Sequence, residues 1–298
     1  MNYNLDSILD SASNSAKNII AVVGPTCTGK SDLAIELAKH LNAEIINADS
    51  RLIFKEMNIG TAKPSESELS EVKHHLVNIK RPDESYSAAE YQSDFDQIIE
   101  SAPENQKFIV VGGTGFYLKA ALANLNMPKV STDPELREEL AALELDVLRA
   151  RMLKLDPEAG KQVDLDNKIR LIRAIEICEL SGETLAKVRS FDKEDRYDVH
   201  YIGLTFEKRR ELYDLINKRV INMIKNGLVH EVEALVKKYG ATQTMNGTIG
   251  YKEIIMYLEG KYESLNAARR AIQLKTRRYA KKQLTWFRQN EKVHWYLR

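Results

Sequence analysis

Eight residues near the N-terminus have the types and spacing to hold a phosphate. Gly24-Pro25-Thr26-Cys27-Thr28-Gly29-Lys30-Ser31 fits the pattern GxxxxGK[ST] in full. It follows an unbroken apolar run, Ile19 to Val23, and precedes a helical pattern, Lys30 to Leu41. That context turns backbone N–H groups and the positive end of a helix toward an anion. Lys30 adds a mobile point charge, and the Ser31 hydroxyl is placed to ligate Mg²⁺. Gly24, Thr26, Cys27, Thr28, Gly29, Lys30 and Ser31 are therefore the expected phosphate contacts. Such loops most often hold ATP or GTP, so nucleotide binding is one reading of the motif.

Three further residues could act beside this loop. Asp49 ends the second apolar run, Glu44 to Ala48. It could orient water on Mg²⁺, or it could accept a proton from an attacking group. Thr114 stands in Gly112-Gly113-Thr114-Gly115, just after the run Phe108 to Val111. Its hydroxyl could reach a leaving phosphate oxygen. Arg219 completes a helical stripe with Leu212, Ile216 and Met223. An arginine on a core-facing stripe needs an anionic partner or a path to water. Many phosphoryl-transfer enzymes carry an acid after a later strand for Mg²⁺; the run ending at Val111 has none.

The elements that must position these groups alternate strand and helix. Short buried runs separated by glycine turns and helices predict an α/β fold, a P-loop NTPase-like parallel sheet. Ligands in such sheets bind beyond the carboxyl ends of the strands, where segments 24–31, 49–50 and 112–115 fall. Asn124 to Pro134 reads as a polar linker. Helical patterns follow at Glu135 to Leu155 and Asn167 to Leu180, closed by Gly182, with no good strand before Val199. Beyond 205 the pattern is mainly helical. The expected organisation is a flexible N-terminal extension (1–18), a P-loop core domain (19–121 and 200–298) with a helical C-terminal region, and a helical insertion domain (122–199).

Of the 298 residues, 44 are Lys or Arg and 43 Asp or Glu, a net charge of +1. That excludes a polycationic nucleic-acid coat, and the 43% hydrophobic fraction excludes wholesale disorder. The balance conceals an asymmetry. Ser264 to Asn290 carries eight basic residues (Arg269, Arg270, Lys275, Arg277, Arg278, Lys281, Lys282 and Arg288) and no acid. Ile272, Tyr279 and Trp286 recur every seven residues and are expected to face the core, leaving the basic face for a phosphate backbone. Lys168, Arg170 and Arg173 repeat the theme in the insertion. Cys27 and Cys178 make neither a disulfide framework nor a zinc pair. His74-His75 has no acid at ligand spacing. With no apolar span and no secretory leader, a cytoplasmic protein without membrane contact is expected.

Gly24–Ser31, Asp49-Ser50, Ile59-Gly60-Thr61-Ala62-Lys63-Pro64, His74-His75-Leu76, Gly112 to Tyr117, Gly250-Tyr251-Lys252 and Thr276 to Arg288 together resemble the tRNA dimethylallyltransferases, also called tRNA isopentenyltransferases. The resemblance spans about 19–297. It implies transfer of a dimethylallyl group from its diphosphate to N6 of adenosine 37 in tRNA, releasing diphosphate. It implies that the loop holds a prenyl diphosphate, with Mg²⁺ at Ser31. Lys30, Thr114 and Arg219 then stabilise the diphosphate, and Asp49 serves as general base. The tRNA anticodon arm becomes the partner, read by Ser50, Arg51, Leu52, Gly250, Tyr251 and Lys252 and by the basic residues of the insertion and the C-terminal helix. A monomer is expected. The chain departs from the family pattern at Leu52, where a glutamine is usual, at Phe54 and Lys55, at Asp164 to Asn167, and at Leu215. These departures suggest altered tRNA choice. A P-loop small-molecule or nucleotide kinase and a weakly catalytic tRNA-binding paralogue are the other readings of the residues.

Overall fold

The computed structural model describes residues 4–125, 130, 133–188 and 191–298, and for 124 and 191–195 the backbone alone. The chain divides into two compact units, Met1–Leu122 with Tyr197–Arg298, and Ala123–Arg196.

The first unit is built on a six-stranded sheet. Its strands are β1 (Ile19–Val23), β2 (Glu44–Asn47), β3 (His74–His75), β4 (Phe108–Val111), β7 (Val199–Thr205) and β8 (Val293–Leu297). The order is β3-β2-β4-β1-β7-β8, and every pairing is parallel. β1 lies at the centre and all five of its residues are buried. Ile19, Ala21 and Val23 enter one core cluster, Ile20 and Val22 another. Successive side chains leave opposite faces, so a strand covered by helices on both sides must be apolar throughout.

Two edges of this unit differ from the sequence reading. The N-terminal segment, expected to be a loose extension, contains a helix, Leu5–Ser13. Asn4 caps it, and Ile8 and Ala12 are fully buried beside Leu33 and Leu37. β8 lies in the region expected to be helical, and it extends the sheet beyond β7. His74-His75 forms the short edge strand β3.

The second unit packs the helices Pro134–Ala142, Leu145–Leu155 and Lys168–Ser181 around Leu140, Leu148, Met152, Leu171 and Ile175. The long helix expected over 135–155 is two, broken at Leu143 and Glu144. An antiparallel pair joins β5 (Ala123–Leu125) to β6 (Phe191–Asp195), where a linker and no strand were expected; the rest of that linker lies largely outside the described residues. Glu176 is fully buried in this unit. Burial would raise its pKa, but hydrogen bonds from Arg137, Arg173 and the Asp133 N–H hold it below the usual range. Among the described residues no helix is long and apolar enough to cross a membrane.

Candidate active site

The phosphate loop connects β1 to the helix Lys30–Leu41. Gly24 turns at φ 137°, where a Cβ would lie 2.3 Å from the Leu204 carbonyl oxygen of β7. Cys27 adopts a left-handed φ of 67°. Thr28 is buried and donates its hydroxyl to Pro25 O at 2.9 Å, so it holds the loop from within. Lys30 folds back and donates to the same carbonyl at 2.7 Å. Burial draws its ammonium pKa down to about 8, against the pull of Asp49 and Cys27 and with the help of Arg219.

A cavity of about 450 Å³ opens over this loop at the carboxyl ends of β1, β2 and β4, and Lys30, Ser31, Asp49, Leu52, Lys63 and Arg219 stand in its wall. A second cavity, about 340 Å³, is lined by Ser50, Arg51, Thr114 and Thr276 among others. The two share Thr26, Asp49, Thr61, Arg219 and Tyr279. Two clefts that meet at a carboxylate and a guanidinium can bring two substrates to one point.

Local hydrogen bonds set Asp49. Asn47 accepts its N–H at 2.9 Å and donates to its carbonyl at 3.0 Å and to Leu76 O at 2.9 Å. Asp49 Oδ1 accepts the Arg51 N–H at 2.8 Å. Thr114 Oγ1 accepts the Ser50 N–H at 3.0 Å, which ties the β4 turn to the β2 tip. Arg219 rises from the helix Arg209–Lys225, whose buried stripe is Leu212, Ile216, Val220 and Met223. It donates to Thr61 O at 3.2 Å and stands 3.9 Å from Cys27 Sγ. No carboxylate pairs with it among the described residues, so its charge is available to an anion in the cleft.

The family described as IPP transferase matches residues 52–290. The chain belongs to this family. The tRNA dimethylallyltransferase of Alkaliphilus oremlandii is 42% identical over 94% of this chain and 91% of its own length. That of Bacillus subtilis is 40% identical over 95% and 91%. A solved tRNA isopentenylpyrophosphate transferase from Bacillus halodurans superposes with a TM-score of 0.68 at 37% identity, covering 94% of this chain and 89% of that one. A eukaryotic dimethylallyltransferase acting on tRNA superposes at 0.77 with 26% identity, over 91% of this chain and 70% of its own. The chain is thus an enzyme of the tRNA dimethylallyltransferase family, with a P-loop-type parallel sheet.

Several residues of this family member act through the backbone, in roles that the sequence did not assign to them. Glu231 accepts the N–H groups of Asn58, Ile59 and Gly60 at 3.0, 2.8 and 3.1 Å, and the Tyr251 hydroxyl at 2.5 Å. This clamp fixes the segment that offers Thr61 O to Arg219. Lys63 of the same segment donates to Phe54 O at 2.6 Å and Asn78 Oδ1 at 2.5 Å, and burial lowers its pKa to about 8. Gln283 is buried, accepts the Thr26 N–H at 2.9 Å and donates to Gly113 O at 2.8 Å. It thereby joins the phosphate loop to the β4 turn. A Cβ on Gly113 would lie 2.2 Å from Gln283 Nε2, so a side chain there would displace the Gln283 amide from this bridge. Arg298 also lines the larger cavity, and its guanidinium comes within 3.4 Å of where a Cβ on Gly29 would stand.

The residues expected to contact tRNA fall into two groups. Ser50 and Arg51 line the smaller cavity, and Leu52 the larger. Lys252, Arg170, Arg278, Lys281 and Lys282 are exposed. Lys168 is half-buried and donates to Ala141 O at 2.8 Å. Four other expected residues are buried or engaged within the protein. Gly250 and Tyr251 are buried, and Tyr251 is spent on Glu231, so both shape the fold. Arg173 is spent on the buried carboxylate of Glu176 and on Val130 O. Arg277 is half-buried and donates to Asn217 Oδ1 at 2.6 Å. On the C-terminal helix Leu265–Phe287 the buried residues are Ala268, Ile272, Ala280, Gln283 and Phe287. Trp286 is 41% exposed and Tyr279 lines both cavities, so the seven-residue spacing does not trace the core.

Proposed function

We propose that the chain transfers a dimethylallyl group from dimethylallyl diphosphate to N6 of adenosine 37 in tRNA. The observation that carries this reading is the meeting of two cavities at Asp49 and Arg219, one of them over the phosphate loop. The diphosphate occupies the larger cavity, held by Lys30 and the loop N–H groups. The adenine enters the smaller one, beside Ser50 and Arg51. The bond from the allylic carbon to the diphosphate oxygen breaks, with its electron pair leaving on the diphosphate. Arg219, Lys30 and Thr114 stabilise that developing charge. N6 bonds to the allylic carbon, and its proton goes to Asp49.

Mg²⁺ fits this arrangement as a partner of the diphosphate. Ser31 offers a hydroxyl and Asp32 a carboxylate in the same cavity wall, and Mg²⁺ needs few protein ligands when phosphates and water supply the rest. When bound it would neutralise diphosphate charge. Among the described residues no three His, Cys, Asp or Glu side chains are grouped to hold a metal ion.

The anticodon arm is the macromolecular partner in this reading. Single-stranded loops present splayed bases, and a base must leave its stack to enter a cleft. Arg278, Lys281 and Lys282 of the C-terminal helix and Arg170 of the helical insertion supply exposed positive charge for the backbone. Leu52 replaces the usual glutamine with an aliphatic side chain, which shifts the set of tRNAs modified. The reaction belongs to the cytoplasm, where tRNA matures, and needs one copy of the chain.

Incubation with labelled dimethylallyl diphosphate, Mg²⁺ and tRNA lacking the modification tests this reading. Label in N6-dimethylallyladenosine at position 37 supports it. Phosphoryl transfer from ATP without prenyl transfer would replace it with a kinase. Binding of tRNA without any turnover would replace it with a non-catalytic RNA binder.

A further inference from the structure

Tyr279 has no place in the reaction as described above, yet it is one of the five residues common to both cavities. The others are Thr26, Asp49, Thr61 and Arg219, so Tyr279 stands where the two substrates would meet. Resting on the dimethylallyl-transfer reading, we infer that Tyr279 is a further catalytic residue, whose phenol donates a hydrogen bond to the diphosphate oxygen that leaves the allylic carbon.

Four observations support this. The hydroxyl donates to Gly113 O over a long 3.3 Å and lies beside the Thr114 and Gln283 side chains, at the edge of both cavities. Its pKa is pushed up to about 12 by burial and by Asp49, against hydrogen bonds with Thr114 and Gln283, so it is a neutral donor at working pH. Its neighbour Gln283 is locked between Thr26 and Gly113, which fixes the helix that carries it. Thr114, the residue next to Gly113, is bound to the Asp49-Ser50 tip, so phenol, hydroxyl and carboxylate converge on one edge.

The chemistry needs no proton from the phenol. The carbon–oxygen bond breaks with its electrons on the diphosphate, the amine proton goes to Asp49, and Tyr279 strengthens one hydrogen bond as charge develops. A donor to a developing oxyanion contributes up to ~10²-fold or more in rate. A donor matters most when it binds the transition state better than the bound substrate.

The test is Tyr279→Phe, which keeps the ring and removes one oxygen. Single-turnover prenyl transfer is measured with dimethylallyl diphosphate and tRNA both saturating, beside the dissociation constants of tRNA alone and of dimethylallyl diphosphate alone. The expected result is a rate at least about tenfold lower, with both dissociation constants within threefold of the parent. A rate within twofold of the parent overturns the assignment. Loss of dimethylallyl diphosphate affinity by the same factor as the rate also overturns it, because the phenol would then bind ground and transition states alike. A parent that transfers no prenyl group overturns the dimethylallyl-transfer reading first, and this inference with it.

Discussion

Raising the pH through 8 should weaken binding of the prenyl diphosphate by discharging Lys30. Burial lowers this ammonium to about 8 in the free enzyme, against an ordinary value of 10.5. A bound diphosphate favours the charged form and lifts the pKa again, so binding takes up protons. The sign follows: the contact is present below about 8 and is lost as pH rises through that value. Between pH 7.5 and 9 the charged fraction of a group with a pKa of about 8 falls about eightfold, and affinity falls with it. At pH 8 about half a proton should be taken up per ligand bound. The ligand is the unreactive thiolo analogue of dimethylallyl diphosphate, whose phosphates stay ionised over this range. Titration calorimetry in two buffers of different ionisation enthalpy reads the proton count directly. Lys30→Met should flatten the pH dependence and weaken binding by roughly 1.5–3 kcal/mol, the range for a charge-assisted hydrogen bond. Flat affinity from pH 7.5 to 9, with no proton uptake in the parent, would refute the reasoning.

Three other perturbations have definite expected outcomes. Glu231→Ala strands three backbone N–H groups and the Tyr251 hydroxyl; it should cost at least ~2 kcal/mol in urea unfolding and raise KM for the diphosphate, while Glu231→Gln costs less. Gln283→Met leaves the Thr26 N–H unpaired and the Gly113 C=O with the long bond from Tyr279 in place of its 2.8 Å partner; a loss of ~1–3 kcal/mol by thermal unfolding and weaker pyrophosphate binding by calorimetry are expected, with tRNA affinity retained. Neutralising the exposed Arg278, Lys281 and Lys282 one at a time should weaken tRNA binding evenly across sequences and reduce the salt slope by about 1 each in filter binding, without altering pyrophosphate affinity.

What the sequence made legible is what short-range patterns encode. β1, the phosphate loop and its helix are contiguous, and an apolar run before GxxxxGK[ST] leaves few alternatives. Asp49 and Thr114 were legible because both stand at strand ends in a parallel sheet. The Glu231 clamp was not, since its three backbone partners lie more than 170 residues away in the chain. Tyr279 was misread for a physical reason. A periodic aromatic on a helix reads as core, but Gly113 lets this helix approach the β4 turn so closely that the same face forms the wall of the cleft. Tyr251 shows the reverse, a motif residue whose spacing gave no sign that its side chain is buried and bonded to Glu231. The N-terminal helix and β8 had readable signals, Leu5, Ile8, Leu9 and Ala12 at helical spacing and Val293 to Leu297 rich in strand formers. Their polar flanks hid them.

The central claim is that Asp49 takes the amine proton at the junction of the two cavities. Single-turnover transfer by Asp49→Asn, with dimethylallyl diphosphate and tRNA both saturating, tests it most directly. Asparagine preserves the acceptor for the Arg51 N–H and removes the base. The rate should fall by roughly 10²–10⁴-fold while both substrates still bind. A rate close to the parent's, with binding intact, would contradict the assignment.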